Sequence, residues 1–135
     1  MSRISREEMY LGIVDLVAQR SICNRAKVGA IVVQGGRVII TAYNGPPSGV
    51  DVCCNVGDKE CLHTIHAEMN AIAWAARLGV SLKGSEMYVS MSPCLACAKV
   101  IINSGIRKVY FRDLYRDMSG VQYLSNHIDV EEIIT

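Results

Sequence analysis

EMYVSMSPCLACAKVIINSGIRKVYF, residues 86–111, decides the fold. Residues 86–91 are strand-like. Residues 94–104 read as a helix, stopped by Gly105, and residues 106–111 form another strand. A strand, a helix and a strand in this order predict parallel strands joined by a right-handed crossover. Upstream, residues 28–33 and 38–43 are short apolar, β-branched runs separated by Gln34-Gly35-Gly36-Arg37, which predicts a β-hairpin with a glycine turn. Residues 7–20 read as an amphipathic helix with Met9, Ile13, Leu16 and Val17 at helical spacing, started by a Ser5–Glu8 capping box. Residues 65–78 form an alanine-rich helix closed by Gly79, residues 120–126 a short helix and residues 128–130 a last strand. The expected architecture is one α/β layer sandwich over residues 1–135. Its mixed sheet begins with an antiparallel pair and carries helices on both faces.

Composition narrows the function classes. Half of the 135 residues are hydrophobic, a fifth are charged, and the formal net charge is +1. No Lys/Arg-rich run stands out, which argues against extended nucleic-acid contact. The apolar N-terminal stretch is broken by Asp15 and Gln19, and no small-residue cleavage pattern follows it. No stretch is long enough to span a membrane. A soluble cytoplasmic protein is therefore expected, in which six cysteines mean reduced thiols and metal binding rather than disulfides.

Residues 44–64 begin with Asn44-Gly45-Pro46-Pro47-Ser48-Gly49, which cannot continue a strand. A loop of this length is functional or tied down, and Cys53, Cys54, Cys61 and His63 within it make a metal one candidate tie.

The chemistry lies in His66-Ala67-Glu68 and Pro93-Cys94-Leu95-Ala96-Cys97. This is the H-x-E…P-C-x-x-C order of zinc deaminases acting on nucleobases. Both halves sit where a helix starts, so orphan N–H groups favour thiolates at Cys94 and Cys97. His66 adds a nitrogen ligand. Three protein ligands leave a fourth tetrahedral position for water, the mark of a catalytic zinc. Glu68, two residues past His66, would take a proton from that water and deliver protons to a ring nitrogen and to departing ammonia. A closed structural clip with a fourth protein ligand is the competing reading; Glu68 and the vacant position favour catalysis.

Four segments then resemble deoxycytidylate deaminases: Cys23-Asn24-Arg25-Ala26-Lys27-Val28-Gly29-Ala30, Tyr43-Asn44-Gly45-Pro46-Pro47-Ser48-Gly49-Val50 with Cys53, His66-Ala67-Glu68-Met69-Asn70-Ala71-Ile72, and Ser92-Pro93-Cys94-Leu95-Ala96-Cys97-Ala98-Lys99. The resemblance runs from Arg20 to Leu124. It implies a cytidine deaminase-like three-layer sandwich with a mixed five-stranded sheet, and zinc-dependent hydrolysis of dCMP to dUMP and ammonia, supplying dUMP for dTMP synthesis. It also implies a homo-oligomer, often a hexamer, activated by dCTP and inhibited by dTTP. His66, Cys94 and Cys97 would bind zinc, and Glu68 would shuttle protons. Asn44 would hydrogen-bond the sugar, where spacing alone equally allows a left-handed turn residue before Gly45. The backbone at Ala67 would contact the pyrimidine. A second zinc would take Cys23, Cys53 and Cys61, with His63 or Cys54 completing the tetrahedron; buried reduced cysteines are the alternative. Arg25 and Lys27, and Tyr115 with Arg116, are candidates for the phosphate, against plain solvated surface. The chain departs from the pattern at Ala42, where glycine is usual, and in its short loop between Cys54 and Cys61. Both bear on effector control rather than catalysis.

A tRNA adenosine deaminase shares H-A-E and P-C-x-x-C; the 44–53 loop, Asn70 and the low charge argue against it. Guanine and free cytidine deaminases are further alternatives. Outside enzymes, a catalytically silent zinc- and nucleotide-binding regulatory subunit is the competing class, and the retention of Glu68 speaks against it.

Overall fold

A computed structural model describes residues 2–52 and 61–134. Helix α1 (Arg6–Ala18) precedes the hairpin of β1 (Gly29–Gln34) and β2 (Arg37–Tyr43). Then follow α2 (Ala67–Leu78), β3 (Glu86–Met91), α3 (Leu95–Asn103), β4 (Lys108–Asp113), α4 (Ser119–Ser125) and β5 (Asp129–Glu132). The sheet order is β2-β1-β3-β4-β5. β1 runs antiparallel to β2 and β3, while β3–β4 and β4–β5 are parallel. This is the expected mixed five-stranded sheet. Gly35 and Gly36 take φ of 59° and 78°, the left-handed pair that a two-residue hairpin turn demands. A bulge at Val32/Val33 shifts the register with β2.

Alternation along β1 divides the interior into two layers. Ala30 and Val32 face one side, with Met87, Val89, Val109 and Phe111, and are covered by Ala71 and Ala75 of α2, Ala98 and Ile101 of α3, and Leu124 of α4. Ile31 and Val33 face the other side and pack with Tyr88, Tyr110 and Tyr10 and Val14 of α1. Tyr88 and Tyr110 stack with centroids 4.3 Å apart, and Tyr10 tilts against Tyr88 at 4.9 Å.

The buried face of α1 differs from the expectation. Tyr10, Leu11, Val14 and Ala18 are buried, whereas Met9 and Leu16 are exposed. The tyrosine stack and the close approach to β1 select this face. A Cβ on Gly29 would press on the Val14 carbonyl and stand 3.0 Å from the Ala18 nitrogen. Ser5 caps the helix as expected, its Oγ accepting from the Glu8 N–H at 3.1 Å.

Boundaries also move. α2 starts at Ala67 rather than 65, because Ile65 exchanges two backbone hydrogen bonds with Gly45 (2.8 and 3.1 Å). β4 starts at Lys108 rather than 106, in register with Glu86. Among the described residues, no helix is long and apolar enough to cross a membrane.

Candidate metal and active site

The starts of α2 and α3 meet at the end of the sheet where β3 and β4 terminate. His66 and Cys94 hold the N-cap positions of these helices, both with extended backbone (φ/ψ −61°/150° and −74°/169°). Each carbonyl accepts its helix's first main-chain bond, His66 O from Asn70 N and Cys94 O from Ala98 N, both at 2.9 Å. Cys97 follows in the first turn of α3 and is buried. The local geometry thus turns H-x-E and P-C-x-x-C into one cluster.

His66 Nδ1 lies 3.5 Å from Cys94 Sγ and 3.4 Å from Cys97 Sγ. Tetrahedral zinc, with Zn–N near 2.1 Å and Zn–S near 2.3 Å, places its N and S donors about 3.6 Å apart. The donor set and its spacing therefore fit a zinc ion. Among the described residues this is the one group of three such donors gathered within 4.8 Å. Cys94 is pushed down to about 4 by hydrogen bonds from Cys97 and His66. Cys97 is pushed up by its bond to Cys94 and by burial. The His66 imidazole is raised, first by its bond to Cys94. Metal binding at a cluster of thiols and an imidazole releases protons.

Glu68 sits in the first turn of α2 and is only 4 % exposed. Burial pushes its carboxyl up to about 7, against opposing hydrogen bonding and the charge of His66. A carboxyl tuned to this range accepts and returns protons near neutrality.

The chain leading into the cluster is fastened from β2. The Gly45–Ile65 bridge closes the long loop next to His66, and Asn70 Nδ2 donates to Tyr43 O at 2.9 Å. This backbone tie holds the loop's two ends together. Asn44 is buried, and it is not a left-handed turn residue: no described non-glycine residue has positive φ. Its Nδ2 donates to Ala26 O (2.8 Å) and its Oδ1 accepts from Val28 N (2.9 Å). The amide thereby fixes the segment carrying Arg25 and Lys27, whose side chains are exposed. One N–H and one lone pair of Asn44 remain beyond these two bonds. Ala67 is buried at the start of α2. Tyr115 is exposed, and its N–H donates to Ser92 Oγ at 2.7 Å, beside Pro93 and Cys94; Arg116 is exposed next to it.

Cys23 is buried, Cys61 and His63 are half-buried, and Cys53 and Cys54 lie outside the described residues. A surface groove lined by Ile72, Lys99, Asn103, Ser104, Tyr123 and His127 shares no residue with the zinc cluster.

Sequence reasoning missed a group of buried serines at this end. Ser21 Oγ donates to Asn44 O (2.8 Å), Ser90 Oγ accepts from Gly29 N (3.1 Å), and Ser92 holds Tyr115. The available signal was polar residues at 90 and 92, where an apolar strand runs into the cysteine motif.

Comparison with known proteins agrees with this geometry. Residues 4–113 match the model of the cytidine and deoxycytidylate deaminase zinc-binding region. The chain belongs to this family. It is 39 % identical over 139 residues to ComE operon protein 2 of Bacillus subtilis, covering 98 % of this chain and 74 % of that protein. It is likewise 39 % identical to the deoxycytidylate deaminase of Mycobacterium phage D29, over 82 % of this chain and 97 % of that one. The dCMP deaminase of the cyanophage S-TIM5, solved in complex with dCMP and dUMP, superimposes with a TM-score of 0.91 at 37 % identity. That match covers 98 % of this chain and 100 % of the phage chain. The zinc-binding region and the deaminase fold expected from the sequence are borne out.

Proposed function

We propose that this family member hydrolyses dCMP to dUMP and ammonia, in the supply of dUMP for dTMP synthesis. The observation that carries the reading is the buried Glu68 in the turn that follows His66, beside Cys94 and Cys97 at zinc-ligand spacing. The full-length likeness to a phage deaminase that binds dCMP and dUMP supports the choice of substrate.

His66 Nδ1, Cys94 Sγ and Cys97 Sγ would hold the zinc. When bound, zinc supplies a water acidic enough to lose its proton near neutral pH. Glu68 would accept that proton and pass it to the ring nitrogen as the water oxygen bonds to the amine-bearing carbon; it would then take the second proton from that oxygen and give it to the amine, so that a carbonyl forms, the carbon–nitrogen bond breaks and ammonia leaves. Asn44 directs its remaining N–H and lone pair to the sugar, and the main chain at Ala67 faces the pyrimidine. Arg25, Lys27 and Tyr115 serve the phosphate; the fixing of residues 26–28 by Asn44 and of Tyr115 by Ser92 supports this assignment. A second zinc on Cys23, Cys53, Cys61 and His63, a homo-oligomer such as a hexamer, activation by dCTP and inhibition by dTTP, and a cytoplasmic location complete the reading.

The test is ammonia release by the zinc-loaded protein from dCMP, cytidine, guanine and tRNA, with metal analysis per chain. Turnover of dCMP that disappears in Glu68→Gln while zinc is retained is the expected result. Turnover of tRNA alone would move the assignment to a tRNA adenosine deaminase. No turnover of any substrate would make the chain a silent zinc- and nucleotide-binding subunit.

A further inference from the structure

Helix α4 contains a glycine at its second residue, Gly120, and this glycine is buried. Its φ is not in the left-handed region, so conformation does not require glycine there. In a helix, glycine costs about 1 kcal/mol relative to alanine. Space explains it. A Cβ on Gly120 would stand 2.6 Å from the carbonyl carbon of Cys94 and 2.8 Å from its oxygen, and closer still to the Pro93 carbonyl oxygen. Real side-chain carbons essentially never approach within 3.0 Å, and these are backbone atoms that cannot swing aside. The bare backbone of α4 therefore rests directly on the turn that carries a zinc ligand.

The same turn is gripped from the segment leading into α4. Ser92 N donates to Asp113 O at 2.8 Å, and Ser92 Oγ accepts from Tyr115 N at 2.7 Å. Ser92 is only 4 % exposed, so both bonds are sheltered from water. Asp117 then accepts from Ser119 N at 2.9 Å, fixing where α4 starts.

We infer that Gly120 and Ser92 are positioning residues for the metal centre: the start of α4 is a backstop that fixes the main chain of Pro93–Cys94, and with it the place of the Cys94 sulfur. The inference rests on His66, Cys94 and Cys97 being the zinc ligands. In Gly120→Ala the added methyl pushes the Cys94 turn away from α4, and the thiolate moves off the position that matches His66 and Cys97. In Ser92→Ala nothing is added, but Tyr115 loses its anchor and the turn loosens.

The test uses the whole chain loaded with cobalt(II) or zinc. Zinc affinity is measured by competition with a chromophoric chelator. The cobalt d–d and thiolate charge-transfer bands report the geometry around the metal. Gly120→Ala is expected to lose about 10- to 100-fold in zinc affinity, the range for residues that orient metal ligands, and to shift the cobalt bands. Ser92→Ala, which introduces no clash and guards against a Gly120 variant that does not fold, is expected to lose about 10-fold and to shift the bands in the same sense. Gly105→Ala is the control. Gly105 has φ of 90° and lies against Lys83, outside the metal turn, so alanine there should lower stability and leave affinity and bands unchanged. Wild-type affinity and bands in Gly120→Ala or in Ser92→Ala would overturn the inference, as would equal changes in Gly105→Ala. Cobalt bands left unchanged in His66→Ala would overturn the ligand assignment itself, a separate outcome.

Discussion

Replacing Glu68 by glutamine separates the chemical role of the carboxyl from its cost to the fold. The side chain is 4 % exposed, and burial raises its pKa from 4.5 to about 7 in the metal-free protein. The unfolded chain ionises near 4.5 and the folded chain only near 7, so between these values the unfolded state loses the proton first. Stability is therefore full below about pH 4.5 and falls as pH rises to about 7. At 1.36 kcal/mol per pK unit, the loss approaches about 3 kcal/mol and levels off above neutrality. Glutamine is neutral throughout and escapes it. Urea denaturation of reduced, chelator-treated protein from pH 4.5 to 8 should show Glu68→Gln close to wild type at the acid end and more stable by up to about 3 kcal/mol at pH 8. The zinc-loaded variant should lose about 10²- to 10⁴-fold in kcat, the share usual for a positioned acid–base group. A stability difference that stays flat with pH would refute the buried carboxyl. Retained turnover would refute the proton-shuttle role.

Three other perturbations probe the frame around the site. Asn44→Ala leaves the Val28 N–H and Ala26 carbonyl without their partners and should cost about 2–3 kcal/mol by urea denaturation, with a raised KM for dCMP as the Arg25–Lys27 segment loosens. Asp15→Asn removes the two-pronged pair with Arg112 Nη1 (2.7 and 2.8 Å) between α1 and β4. Because Asp15 is about half exposed, the loss should be at most about 1 kcal/mol and should shrink in 1 M salt. Stripping zinc with a chelator should abolish activity and lower Tm; metal restored at about a thousandfold over its Kd should return about 4 kcal/mol. Hydrogen exchange should place the lost protection at the amides of residues 67–69 and 95–97.

The strands, the glycine hairpin and the two ligand motifs were legible because each is a local signal: alternation, a two-glycine turn, and fixed spacing of chemically distinct side chains. The metal cluster was legible for the same reason, since C-x-x-C and H-x-E each keep their donors on one helix start. Other features depend on contacts distant in sequence. Helix α1 is apolar around much of its circumference, so periodicity admits more than one face; Gly29 and the tyrosines of β3 and β4 choose the one with Tyr10 and Val14. The start of α2 is delayed by Ile65 pairing with Gly45, twenty residues upstream. Asn44 is not a turn residue because its amide has backbone partners at Ala26 and Val28. Ser92 and Gly120 gain their meaning only when α4 is laid against the cysteine turn.

The three long helices differ in how their first N–H groups are served, and the difference explains why the fold and the metal centre are coupled. Ser5 caps α1 with its own hydroxyl, as a helix start usually requires. At α2 and α3 the cap positions are given to His66 and Cys94, and neither makes a side-chain cap bond. A missing cap costs about 1 kcal/mol, so two helices meet at this end of the sheet with weakened starts. The thiolate at Cys94 offsets part of this through the partial positive charge of a helix N-terminus. A zinc ion held by His66, Cys94 and Cys97 would tie the two starts together and stabilise both at once. The cap positions that Ser, Thr, Asp or Asn would serve carry instead two of the side chains that would hold the metal, so ion binding and the order of the two helix starts are linked.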